Sequence, residues 1–221
     1  MSFYGFIAQN REMFRLLYSL IIAFVCLVIV LKTHKLFRLS YHQGIRYFRN
    51  AFFFYGIAFA IRYFIIFVSS PFLKIGFEFF LIMGGFFLIY SLSWKQLDGK
   101  KRNVSSLLNS KISIFYLFAF IIAYLDFIWY SYYFLFVSQI MVFIIAIIIS
   151  YNNLKKNKKR NNFLKFYFIA MVFSLIAWSL NFIACYFFNW RLRWVVGVYI
   201  LNVIVFGLFL YGVMKVIKRS Q

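Results

Sequence analysis

Acidic side chains are almost missing. The chain has four, Glu12, Glu78, Asp98 and Asp126, against 25 lysines and arginines. That supply leaves little for general acid–base pairs or a carboxylate metal site. Histidine occurs twice, at His34 and His42, eight residues apart with no Cys, Asp or Glu beside them. The pair is a poor metal site and suits surface or headgroup contact. Proline occurs once, at Pro71, which argues against a loop-rich fold and for long uninterrupted helices. The two cysteines, Cys26 and Cys185, lie inside apolar runs without CxxC or metal spacing and read as packing residues. No small-residue cleavage site follows the first apolar stretch, which begins near Leu16 after Arg11, Glu12 and Arg15, so no cleavable signal is expected.

What is present is apolar. Hydrophobic residues make up 65% of 221 positions, aromatic ones 25% and charged ones only 13%. A soluble domain averages about 45–50% apolar and about 25% charged. A chain this short leaves much of its surface uncovered, and the solvent for that surface must be lipid. A closed β-barrel needs alternation of polar and apolar residues, whereas the runs here are continuous, so an all-α integral membrane protein is predicted.

A helix crosses the hydrocarbon with about 20 residues. Spans are predicted at Leu16–Leu31, Tyr47–Val68, Phe72–Trp94, Ile112–Ile128, Tyr132–Tyr151, Phe163–Phe188 and Trp194–Lys215. Ile112 to Tyr151 runs without Gly or Pro and would be roughly 60 Å long as one helix, twice the bilayer core. It must fold back, and Asp126 to Tyr133 is its most polar stretch. The result is a bundle of seven transmembrane helices in a single domain.

The cations set an orientation. Five Lys or Arg follow the first span, five the third, six the fifth, and three close the tail; the other side holds Arg11, Arg15, Lys74, Arg191 and Arg193. Positive residues accumulate in cytoplasmic loops. The expected topology is therefore multi-pass in the cell membrane, N-terminus outside and C-terminus cytoplasmic. Trp129, Trp190 and Trp194 mark the outer boundary and Trp94 the inner one. The net charge of +21 is then read as topology and contact with an anionic inner leaflet, not as nucleic-acid binding. Residues 36–49 mix apolar and basic side chains and are expected to lie flat as an amphipathic turn. Spans 1–3 and 5–7 share a layout, with the fourth between them, which outlines a 3+1+3 arrangement of the kind transporters use. Any seven-span chain with long inner and short outer loops would show the same outline.

Ionisable groups at membrane depth need explaining. Arg62 and Glu78 flank the turn at Ser69–Pro71 at matched depth, about 12 Å below it, and are expected to face each other. They form either a structural clamp or part of an ion or polar-ligand site, with Lys74 as a competing partner for Glu78. Asp126, Gln139, Asn181 and Asn202 also fall in the outer half. Convergent, they would floor an outward-facing cavity rimmed by Tyr130, Tyr132, Tyr133, Trp178 and Trp194; separately, each would simply bond a neighbouring helix. Gly56, Gly84 and Gly85 suit close helix packing.

No His–acid pair can form on these spans, no metal site or cofactor is expected, and span 7 lacks the mid-helix lysine a retinal would need. The chain is thus expected to be no enzyme. It reads as a receptor-like or sensory bundle for an unknown small ligand, with a cytoplasmic protein partner at its basic loops. A small-solute transporter built on Arg62 and Glu78, or a membrane scaffold subunit, is the alternative.

Overall fold

The structure, a computed structural model, describes residues 11–40, 43–68, 70–97, 110–156, 162–188 and 192–220. These form seven helices: α1 (Arg11–Ser40), α2 (Gln43–Ile65), α3 (Pro71–Leu97), α4 (Ser110–Ile128), α5 (Tyr133–Lys156), α6 (Asn162–Tyr186) and α7 (Leu192–Ser220). Five contain segments long and apolar enough to cross a membrane: Glu12–Arg38, Pro71–Trp94, Tyr133–Lys155, Lys165–Tyr186 and Val195–Ile217. The α4 segment Ile112–Ile128 is apolar but shorter. Helix α2 is not among the five; it carries Arg46, Arg49, Asn50 and Arg62 along 23 residues. The protein is a helical membrane protein, and large apolar side chains such as Phe24, Leu31, Leu117, Phe118 and Met141 stand exposed on its outside, where lipid is the fitting solvent.

Local chemistry sets the short turns. Pro71 opens α3, a position where its missing N–H costs nothing, and the Ser70 carbonyl accepts from Leu73 N at 3.2 Å and Lys74 N at 3.3 Å. The reversal between α4 and α5 comes at 129–132, inside the stretch the sequence marks as most polar, and without glycine. Tyr130 takes the left-handed conformation instead, φ 48°, while Ser131 N donates back to the Asp126 carbonyl at 3.0 Å.

Helices α1, α2, α3, α5, α6 and α7 pack each on the next and close into a ring through α1 and α7. Helix α4 sits outside it, in the groove between α3 and α5. Two of the glycines singled out make close contacts possible. A Cβ on Gly84 would meet the Tyr55 ring at 3.0 Å, and one on Gly85 would meet Gln139 at 3.1 Å. Gly84 thus seats α2 on α3, and Gly85 seats α5 on α3.

Residues 36–49 do not form a separate flat element. Helix α1 continues through Ser40 and α2 begins at Gln43. Thr33 donates to the Ile29 carbonyl at 2.6 Å without interrupting α1. The two helix ends are held together by Arg49, which donates to His34 Nδ1 at 2.9 Å and lies 5.9 Å from the Phe37 ring centroid. His42, Asp98, Trp190 and Arg191 lie outside the described residues, as do the side chains of Arg193 and Trp194.

Candidate functional site

The ring is not filled along its whole length. At the end holding the α2–α3 and α4–α5 turns, hereafter the turn end, it encloses a cavity of about 730 Å³. Exposed or half-exposed residues stand at its mouth: Glu12 and Arg15 of α1, Ser70 and Pro71 of the α2–α3 turn, and Tyr130 of the α4–α5 turn. Pro71 and Leu88 of α3 both belong to its wall, so at about 1.5 Å per residue it reaches about 25 Å down the bundle. A narrow shaft results.

Aromatic rings close the bottom. Phe52 of α2 meets Phe206 of α7 edge to face at 6.0 Å and Phe209 at 5.1 Å. Beneath them Phe48, Tyr167 and Phe209 form a triangle with centroids 5.6–6.2 Å apart, and the Tyr167 hydroxyl lies 3.2 Å from Ser91 Oγ. Edge-to-face rings of this kind attract by about 0.5–1.5 kcal/mol per pair beyond their burial. The void beside that triangle holds about 10 Å³, no more than a single water.

Near the mouth Arg62 occupies an aromatic cage. Its guanidinium carbon lies 5.4 Å from the Tyr18 centroid, 5.7 Å from Tyr199 and 5.8 Å from Phe77. It also donates to the Tyr199 hydroxyl at 3.4 Å. Tyr18 and Tyr199 stack at 4.2 Å and 9°, joining α1 to α7 where the ring closes. Lys74, one turn into α3, places its ammonium 4.7 Å from the Tyr132 centroid.

The expected ion pair is absent. The one salt bridge among the described residues joins Glu12 to Arg15 at 3.8 Å. Arg62 points into the cavity and Glu78 does not: Glu78 is 1% exposed, outside the cavity wall, and neither carboxylate oxygen has a hydrogen-bond partner. Matched depth on antiparallel helices fixes height but not rotation, and the rotation of α2 and α3 sends the two side chains to different faces.

The other polar candidates divide. Asn181 and Asn202 line the cavity, as do Tyr130, Tyr132 and Trp178. Asn181 donates to the Ala177 carbonyl at 2.9 Å, and Asn202 stands in the wall with Tyr18. Asp126 and Gln139 are fully buried away from the cavity. The Asp126 carboxylate caps the start of α5, accepting from Ser131 Oγ at 3.0 Å, Phe134 N at 3.0 Å and Leu135 N at 2.7 Å. Gln139 Nε2 donates to the Leu81 carbonyl at 3.3 Å, binding α5 to α3. Tyr133 faces outward beside Phe182 and Tyr186 and is no part of the rim.

Sequence reasoning passed over Tyr18, Tyr55, Phe77 and Tyr199. Tyr18 and Tyr199 each stand seven residues into their helices from the turn end, at the level Arg62 reaches, but only the closure of α1 on α7 makes them neighbours. Tyr55 lies deeper in the wall, buried, its hydroxyl without a hydrogen-bond partner.

Compared with known protein families, with curated proteins and with solved structures, the chain shows no match, so the functional reading rests on the cavity itself.

Proposed function

We propose that this is a non-enzymatic, receptor-like or sensory protein of the cell membrane, in which all seven helices span the bilayer. The N-terminus lies outside, the C-terminus lies in the cytoplasm, and a small ligand enters the cavity from the outer side. The observation that carries this reading is a shaft open at the turn end and shut below by the Phe52, Phe206 and Phe209 rings. A ligand seated there touches α1, α2, α3 and α7 together, and any shift of their packing is carried to the basic end. A cytoplasmic protein, or the anionic inner leaflet, then reads that shift.

The ring of α1–α2–α3 and α5–α6–α7, with α4 outside it, is compatible with a 3+1+3 scaffold and hence with a small-solute transporter. The aromatic floor counts against that alternative, because a transport path must continue past Phe48 and Tyr167.

The test is a thermal-shift screen of purified protein in neutral nanodiscs against lipids, quinones, amino acids and ions. It is run beside Val205→Trp, which places an indole in the cavity wall. A class of compound that raises the Tm of the wild type but not of the filled variant supports the proposal. A screen in which the two proteins respond alike sinks it, and uptake of the compound into sealed vesicles gives the transporter reading the advantage.

A further inference from the structure

We infer that the cavity takes an amphiphilic anion, with a carboxylate or phosphate head between Arg62 and Lys74 and an apolar tail in the aromatic shaft below them. This deepens the proposed function and rests on the cavity being a ligand site.

Charge is the first ground. The wall contains Arg15, Arg62 and Lys74 against Glu12 alone, and Glu12 is engaged with Arg15. Among the described residues, neither Arg62 nor Lys74 has a carboxylate within 4.0 Å. Two further carboxylates, Glu78 and Asp126, act on Lys74 from behind the wall, but both are buried outside the cavity, so the groups that face a ligand are still mainly cationic. The rings around the two cations attract them without neutralising them. Arg62 offers five N–H donors and spends one on a long bond to Tyr199. The rest fit the two-pronged recognition of a carboxylate or phosphate.

Shape and polarity are the second. Below the cations the wall is formed by rings and aliphatic groups, among them Phe59, Leu81, Phe143 and Phe206, with Trp178 at the level of Arg62. Part of the wall's few hydroxyl and amide groups is already engaged: Ser174 donates to the Ala170 carbonyl and Asn181 to the Ala177 carbonyl. The Tyr55 hydroxyl alone among the buried wall groups has room for one polar contact. A multiply hydroxylated or zwitterionic solute would lose its water and gain few partners. A chain or fused rings on a single anionic head loses nothing of the kind. The head is supplied either by a free acid from the water or by an anionic lipid of the bilayer.

The experiment uses full-length protein in phosphatidylcholine nanodiscs, titrated with bromododecanoate, bromododecanol and bromododecyl trimethylammonium. The readout is bromine quenching of Trp178, taken as the difference between the wild type and Trp178→Phe. The acid is expected to quench at concentrations about tenfold or more below the alcohol, and the ammonium to be weakest. In Arg62→Gln/Lys74→Gln the acid falls back to the level of the alcohol, while the alcohol is unchanged. Competition by phosphatidylglycerol in the disc assigns the head to a lipid, and its absence assigns it to a free acid; either keeps the anion. Equal quenching by acid and alcohol, or a lead for the ammonium, overturns the inference and leaves the cavity reading intact. If no probe quenches Trp178 in the wild type, the cavity reading falls and takes this inference with it.

Discussion

Arg62 on α2 and Tyr199 on α7 meet across the cavity mouth, guanidinium to hydroxyl at 3.4 Å, although 137 residues separate them in the chain. Their helices are not neighbours in the ring. The contact, with Tyr18 and Phe77 completing the cage, is therefore a bridge over the opening, and it places the half-buried arginine at the entrance to the cavity.

Glu78 has no share in that bridge. Removing one partner of a buried ion pair costs about 3–5 kcal/mol. Because Glu78 makes no ion pair and no hydrogen bond, Glu78→Gln is expected to lower stability by less than about 1 kcal/mol. Thermal unfolding in detergent checks this. A loss of clamp size would show that Arg62 and Glu78 are coupled after all.

Asp126 is expected to behave in the opposite way. Its carboxylate holds three donors at the start of α5, two of them backbone N–H groups that have no other partner in the helix. Asp126→Ala should cost about 2 kcal/mol, and Asp126→Asn, which keeps one acceptor oxygen, clearly less. The same variants should speed proteolysis at the Trp129–Tyr132 turn. Equal stability of Ala and Asn would remove the capping role.

Gly85 and Gly197 make a matched pair. A Cβ on Gly85 lies 3.1 Å from Gln139 and the same distance from Val142, both buried, whereas one on Gly197 meets nothing within 4 Å. Gly85→Ala is expected to destabilise by about 1–3 kcal/mol through overpacking. Gly197→Ala should be neutral, or stabilise by up to about 1 kcal/mol through helix propensity. Similar Tm values for the two would contradict the close seating of α5 on α3.

Orientation is open to direct labelling. In a Cys26→Ala/Cys185→Ala background, Tyr130→Cys should react with an impermeant maleimide on intact cells. Asn152→Cys should react only after permeabilisation. Both positions are exposed at opposite ends of the bundle. The reverse pattern would turn the molecule over and point the cavity inward.

Helix number and the α2–α3 and α4–α5 turns were legible because they depend on local quantities. Apolar runs of bilayer length, Ser70 with Pro71, and the polar stretch after Asp126 each speak for their own segment. The α4–α5 reversal was readable even without glycine, since length alone forbids a single helix there. Packing glycines were legible too, because a missing side chain at Gly84 or Gly85 invites a neighbour whichever helix supplies it. The site was only half readable. Arg62, Asn181 and Asn202 came from the rule that polar groups at membrane depth have a purpose, but the same rule swept in Asp126 and Gln139, whose purpose is to hold helices together.

By itself, then, the order of residues determined that this is a lipid-solvated bundle of helices and where its two tight turns, α2–α3 and α4–α5, fall, because hydropathy and reach act along the chain. Only the tertiary structure decided that α1 closes on α7, that α4 stays outside the ring, and that Arg62 turns to aromatic rings and away from Glu78. Helix rotation and choice of neighbour follow from many side chains packing at once across distant segments, and no single stretch of sequence contains that sum.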